Sequence, residues 1–168
     1  MSRFEELCAA YKTAVDACWA SRDEGLQFAQ MLIPRYLTYL EIPPRDWRFV
    51  PVEKAPEPTR TYNCLEAMHL HQDMFWHLGL QIPVYGAPNE YPRQRLAIHL
   101  MFRKAAQQTF LVKIAENDPG HTIALDHEDT FTAFFDFLQC QILRHFQDRL
   151  RNFPQQPESL GAIGFIEP

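Results

Sequence analysis

Glycine is scarce, with six residues in a chain of 168. None falls in a G-x-G-x-x-G or G-x-x-x-x-G-K-S/T spacing, and no G-x-S-x-G occurs. Backbone cradles for phosphate and the serine-hydrolase elbow are therefore excluded. Charge of one sign is equally thin: the net charge is −5, with no long run. Such a surface gives nucleic acid no electrostatic handhold. No stretch approaches the ~20 apolar residues needed to cross a bilayer. Glu5, Glu6 and Lys12 interrupt the first apolar positions, so a signal peptide is not expected either. Cys8, Cys18, Cys64 and Cys140 form no C-x-x-C pair. They read as buried reduced thiols, which points to a reducing compartment, the cytoplasm.

What the chain does have is period. Ser2 and Glu5 hold capping-box spacing ahead of an apolar stripe of Phe4, Leu7, Cys8, Tyr11, Val15, Cys18 and Trp19. Ser21 and Glu24 repeat that spacing before Phe28, Leu32, Ile33, Tyr36, Leu37 and Leu40. Two helices joined near Ser21–Gly25 are expected, the alternative being one long bent helix, with Pro34 kinking or interrupting either. Prolines 43, 44, 51, 56 and 58 then enforce an extended crossing segment.

The middle third switches to period 2. Trp76, Leu78, Leu80, Ile82 and Val84 alternate, as do Leu96, Ile98, Leu100 and Phe102, and then Phe110, Val112 and Ile114. Gly86, Pro88, Asn89 and Pro92 mark the turn between the first two runs. An earlier strand is expected over 62–71, although Asn63 with Glu66 can instead cap a short helix there. Asn117–Gly120 is a turn signal, and Thr122–Leu125 can add an edge strand. A last helix begins near Asp129 and aligns Phe131, Phe134, Phe135, Leu138, Ile142, Phe146 and Leu150 on one face. The expected fold class is α+β: two N-terminal helices, a four-stranded antiparallel meander covered on one face, and a long C-terminal helix. All belong to a single domain, 1–168, with residues 154–168 as an irregular docking tail.

Parity then assigns the second sheet face. If Trp76, Leu80, Ile98 and Val112 face the helices, the other side carries His77, Gly79, Gln81, Arg95, Ala97, His99, Met101, Arg103 and Lys113. The first strand adds Ala67, His69 and His71. As an open face bearing His69, His71, His77, Arg95, His99 and Arg103, it suits a partner protein, a second copy of the chain, or a small anionic ligand. The leading expectation is a non-enzymatic cytoplasmic interaction protein, self-associating, with no cofactor, nucleic acid or membrane partner. The alternative is a ligand-binding or metal-dependent enzyme on the same face, with His69, His71 and His99 as metal ligands, since histidines at i and i+2 of a strand point the same way. His121, His127 and Glu128 form a second, weaker cluster, explained equally well by acids at a helix start. Cys64 lies near several histidines, but nothing marks it as an activated nucleophile. Tyr85, Tyr91 and Phe153 are candidates for a binding rim.

Overall fold

The computed structural model describes residues 2–43, 46–85, 94–152 and 165–166. Helix α1 (Arg3–Tyr39) runs without a break, one helix where two were expected. The Ser2 hydroxyl accepts the Glu5 N–H at 3.2 Å and the Ser2 N–H donates to the Glu5 carboxylate, completing the capping box. Ser21 and Gly25, read as a junction, serve instead as the seat of Trp76. The indole Nε1–H donates to Ser21 Oγ at 3.1 Å, and a Cβ added at Gly25 would lie 3.1 Å from the ring. Gly25 thus answers the bulk of a neighbour rather than a turn. Pro34 stands on the exposed side, where the carbonyl it leaves unbonded can reach water.

After α1 come β1 (Arg48–Val50), α2 (Cys64–Ala67), β2 (His69–Leu70), β3 (Trp76–Val84), β4 (Gln94–Ala106), β5 (Thr109–Lys113), β6 (His121–Ala124), α3 (Glu128–Asn152) and β7 (Phe165–Ile166). The strand order is β1-β3-β4-β5-β6, with β2 also on β3 and β7 also on β4, and every described pairing is antiparallel. Strands β3, β4 and β5 match three of the four expected in the meander, the edge strand offered by Thr122–Leu125 is β6, and the short strands β1, β2 and β7 extend the sheet. The strand expected over 62–71 is mostly replaced by α2, because the Glu66 N–H donates to the Asn63 side chain at 2.8 Å and the Asn63 N–H to the Glu66 carboxylate at 2.9 Å, a capping box that nucleates a helical turn. Within that stretch His69–Leu70 pairs as strand and Tyr62 makes a single antiparallel bridge to Phe49, while Ala67 enters the core instead of the second face.

Side-chain parity follows the sequence. Trp76 opposes Phe102, Leu78 opposes Leu100, Leu80 opposes Ile98 and Ile82 opposes Leu96, all in the core beneath the helices. Phe28 of α1 stacks on Phe110 at 4.1 Å between ring centres and tilts against Phe102 at 5.4 Å. From α3, Phe131, Phe134, Phe135, Leu138 and Ile142 complete this layer. At its rim Arg35 pairs with Glu128 at 2.6 Å and the Tyr39 hydroxyl donates to Asp136 at 2.6 Å. Burying such rings removes about 1.5–3 kcal/mol of apolar exposure apiece, which is what holds helix to sheet.

Three expectations need correction. The second sheet face is not open: His77, Gln81, Ala97 and Met101 are buried, and residues 51–58 fold beside its Gln81–Ala97 end. Only Cys64 is a buried thiol, held up at a pKa of about 11 by burial, whereas Cys8, Cys18 and Cys140 are exposed. Nor is the first apolar stripe of α1 packed: Phe4, Leu7, Tyr11 and Trp19 face outward. The turn at 86–92, Tyr91, Phe153 and most of the 154–168 tail lie outside the described residues, apart from the backbone pairing of β7 with Ala97–Ile98. Among the described residues no helix is long and apolar enough to cross a membrane.

Candidate functional site

A four-residue turn organises the site. His71 N–H donates to the Phe75 carbonyl and Met74 N–H to the His71 carbonyl, both at 3.0 Å, closing the hairpin between β2 and β3. Met74 takes φ 64°, the left-handed conformation that side chains adopt at a cost of order 1 kcal/mol. That twist brings Asp73 back over the start of β3, where its Oδ1 accepts the Phe75 N–H at 2.9 Å. Phe75 itself points to the second face and is roofed by the Arg103 guanidinium, 4.7 Å above the ring, and by Lys113.

Register supplies the rest. His69 opposes His77 across β2 and β3, and His99 of β4 opposes Gly79, so three imidazoles share one face. Their rings gather around His77, with centres 5.4 Å away for His69, 4.9 Å for His71 and 4.8 Å for His99. His77 Nε2 lies 3.0 Å from Asp73 Oδ2, and His77 Nδ1 lies 2.9 Å from His99 Nε2. Asp73, His77 and His99 thus form a continuous chain. Gly79 makes this packing possible, because a Cβ there would stand 2.4 Å from the Val50 carbonyl of β1.

Electrostatics separates the members. Burial, reinforced by the neighbouring His77 and His69, depresses His99 to a pKa of about 4, so it is a neutral ring at physiological pH. His69 is lowered by burial as well, with Glu53 partly opposing. Burial pushes the Asp73 carboxyl up, but the Phe75 N–H and His77 outweigh it and its pKa falls. His69 Nε2 is buried and lies 3.2 Å from Glu53 Oε1, yet the alignment makes no hydrogen bond.

Ligand-bearing atoms of His71, Asp73 and His77 all lie within 4.8 Å of one another, the one group of three or more His, Cys, Asp or Glu donors this tight among the described residues. Two imidazoles and a carboxylate at that spacing can close around one zinc or iron(II) ion. Of the residues picked from sequence, His69, His71, His77 and His99 are brought together. Arg103 stands apart on Phe75, and Arg95 lies toward the Gln81 end of the face. His121, His127 and Glu128 do not assemble: His121 packs on Phe137 at 3.9 Å and faces Asp118, while His127 is exposed beside Asp126. Sequence reasoning missed Asp73, Glu53 and Arg48. Asp73 follows His71 by two positions, and only the turn's twist brings its carboxylate beside the imidazoles.

No family model matches the chain, and no curated protein or solved structure shows significant similarity to it.

Proposed function

We propose that this protein is a metal-dependent one, binding a divalent transition-metal ion through His71, Asp73 and His77. The observation that supports the reading is the convergence of those three donors within 4.8 Å at a single hairpin. Three protein ligands leave one or more positions for water or substrate, the arrangement of a catalytic rather than a structural site. The ion's chemistry there is that of a Lewis acid. His99 completes the arrangement as a neutral acceptor: with His77 Nε2 turned to the ion, the remaining proton sits on Nδ1 and is donated to His99 Nε2, fixing the ring as outer partners of metal-bound histidines do. Metal analysis of protein purified without chelators tests this. About one zinc or iron per chain is expected, falling at least tenfold in Asp73→Ala and His77→Ala. Equal metal content in wild type and both variants would end the proposal.

A second reading, self-association, rests on a different observation. Phe4, Leu7, Tyr11 and Trp19 lie along one side of the first half of α1 and are 73, 68, 73 and 52% exposed. The occupant is a second copy of the same helix. At those exposures three aromatic rings of roughly 150–250 Å² each would bury about 800 Å² across two copies. Leu7, Cys8 and Cys18 bring the area close to the ~1,200 Å² of a specific interface. The buried sheet centre makes this helix the better candidate for association than the His-bearing face.

A further inference from the structure

Beside the histidines the same face carries a cavity of about 440 Å³. Its floor is Arg48, Gln81, Arg95 and Ala97, and its wall is the proline-rich segment 51–58. Arg48 and Arg95 are close enough that, after burial, Arg95 is the main influence lowering Arg48. Arg48 Nε–H donates to Gln81 Oε1 at 2.5 Å, which aims the remaining guanidinium nitrogens without neutralising them. Arg22, Arg35, Arg60 and Lys104 each sit on a carboxylate, whereas Arg48 and Arg95 have none among the described residues. Glu53, the one acid in the lining among the described residues, is 3.2 Å from His69.

Two like charges held together without a counter-charge among the described residues, above Val50, Val52 and Ala97, make a site for an anion with an apolar body. We propose that the Arg48–Arg95 cavity binds a small molecule presenting a carboxylate or phosphate to the two guanidiniums and an aliphatic part to the valines and prolines. A volume of about 440 Å³ suits a metabolite-sized molecule rather than a peptide. Glu53 links the two sites physically, since it lines this cavity and contacts His69 of the imidazole cluster. The inference stands whether or not the histidines bind metal.

The test is calorimetric titration of chelator-treated protein with sodium hexanoate, sodium acetate and inorganic phosphate, at constant ionic strength in chloride. Saturable binding of at least one probe is expected, weakened about tenfold or more in Arg48→Gln and in Arg95→Gln, as loss of a charge-assisted bond implies. Hexanoate stronger than both acetate and phosphate identifies a carboxylate with an apolar body. Phosphate strongest identifies the phosphate source. Arg95 is exposed, so Arg95→Gln keeps the fold and the comparison remains valid even if Arg48→Gln does not. Failure of all three probes to saturate, or affinities unchanged in Arg95→Gln, would overturn the proposal.

Discussion

His77 Nδ1 and His99 Nε2 lie 2.9 Å apart, one imidazole of β3 joined to one of β4 on the second face of the sheet. Two positive charges cannot both occupy so short a contact without cost, and the fold resolves this by keeping His99 neutral. The consequence is a pH dependence of stability in chelator-treated protein. The unfolded ring takes its proton near the ordinary value of 6.5, the folded one only near 4, so between those values the unfolded chain binds more protons. Stability contributed by neutral His99 is complete above about 6.5 and is lost as pH falls toward 4, by at most about 3 kcal/mol. Urea unfolding from pH 7.5 to 4 should show that decline, and His99→Gln, which cannot titrate, should flatten it. An identical slope in wild type and His99→Gln would contradict the assignment.

Gly79 is where the sheet and the site constrain each other. A methyl group there meets main chain, the Val50 carbonyl at 2.4 Å, and main chain cannot swing aside as a side-chain tip can. Gly79→Ala should therefore cost about 3 kcal/mol, at the high end for overpacking. It should also weaken metal binding by lifting β1 and the adjoining segment from the His99 side. A loss under ~0.5 kcal/mol in denaturant unfolding, a size typical of plain surface changes, would show that β1 is free to move.

The α1 stripe makes its own demand. In dilute solution the chain should pass from dimer to monomer in sedimentation velocity, and Phe4→Glu with Trp19→Glu should leave monomer only. Cys8 and Cys18 share the stripe, so a thiol reagent should modify them more slowly in the dimer, while Cys140 reacts at one rate throughout and Cys64 resists in both states. A monomer at all concentrations with equal rates for Cys8, Cys18 and Cys140 would rule the interface out.

Much of the architecture was readable from period and parity. The alternation in Trp76–Val84 and Leu96–Phe102 correctly assigned His77 and His99 to one face, because a strand can point a side chain only two ways. The reading failed where a local signal has two uses. Ser21 and Gly25 look like a helix boundary, yet here they make room for Trp76, a residue 55 positions away from Ser21. Apolar spacing from Phe4 to Trp19 announces a helix correctly, but period says that a face is apolar and not that anything in the chain covers it. Asp73 joins His71 and His77 only through the left-handed turn at Met74, a conformation that methionine itself does not advertise.

The central claim is that His71, Asp73 and His77 share one metal ion, and cobalt(II) reports on it most directly. Titration of chelator-treated protein with cobalt at pH 7.5 should give ligand-field bands saturating at about one ion per chain. Those bands should vanish in Asp73→Ala and His77→Ala, while shifting but persisting in His99→Gln, which removes only the outer partner. Protein that develops no saturable bands, or develops the same bands after loss of Asp73 and His77, would show that the hairpin is a hydrogen-bonded turn and not a metal centre.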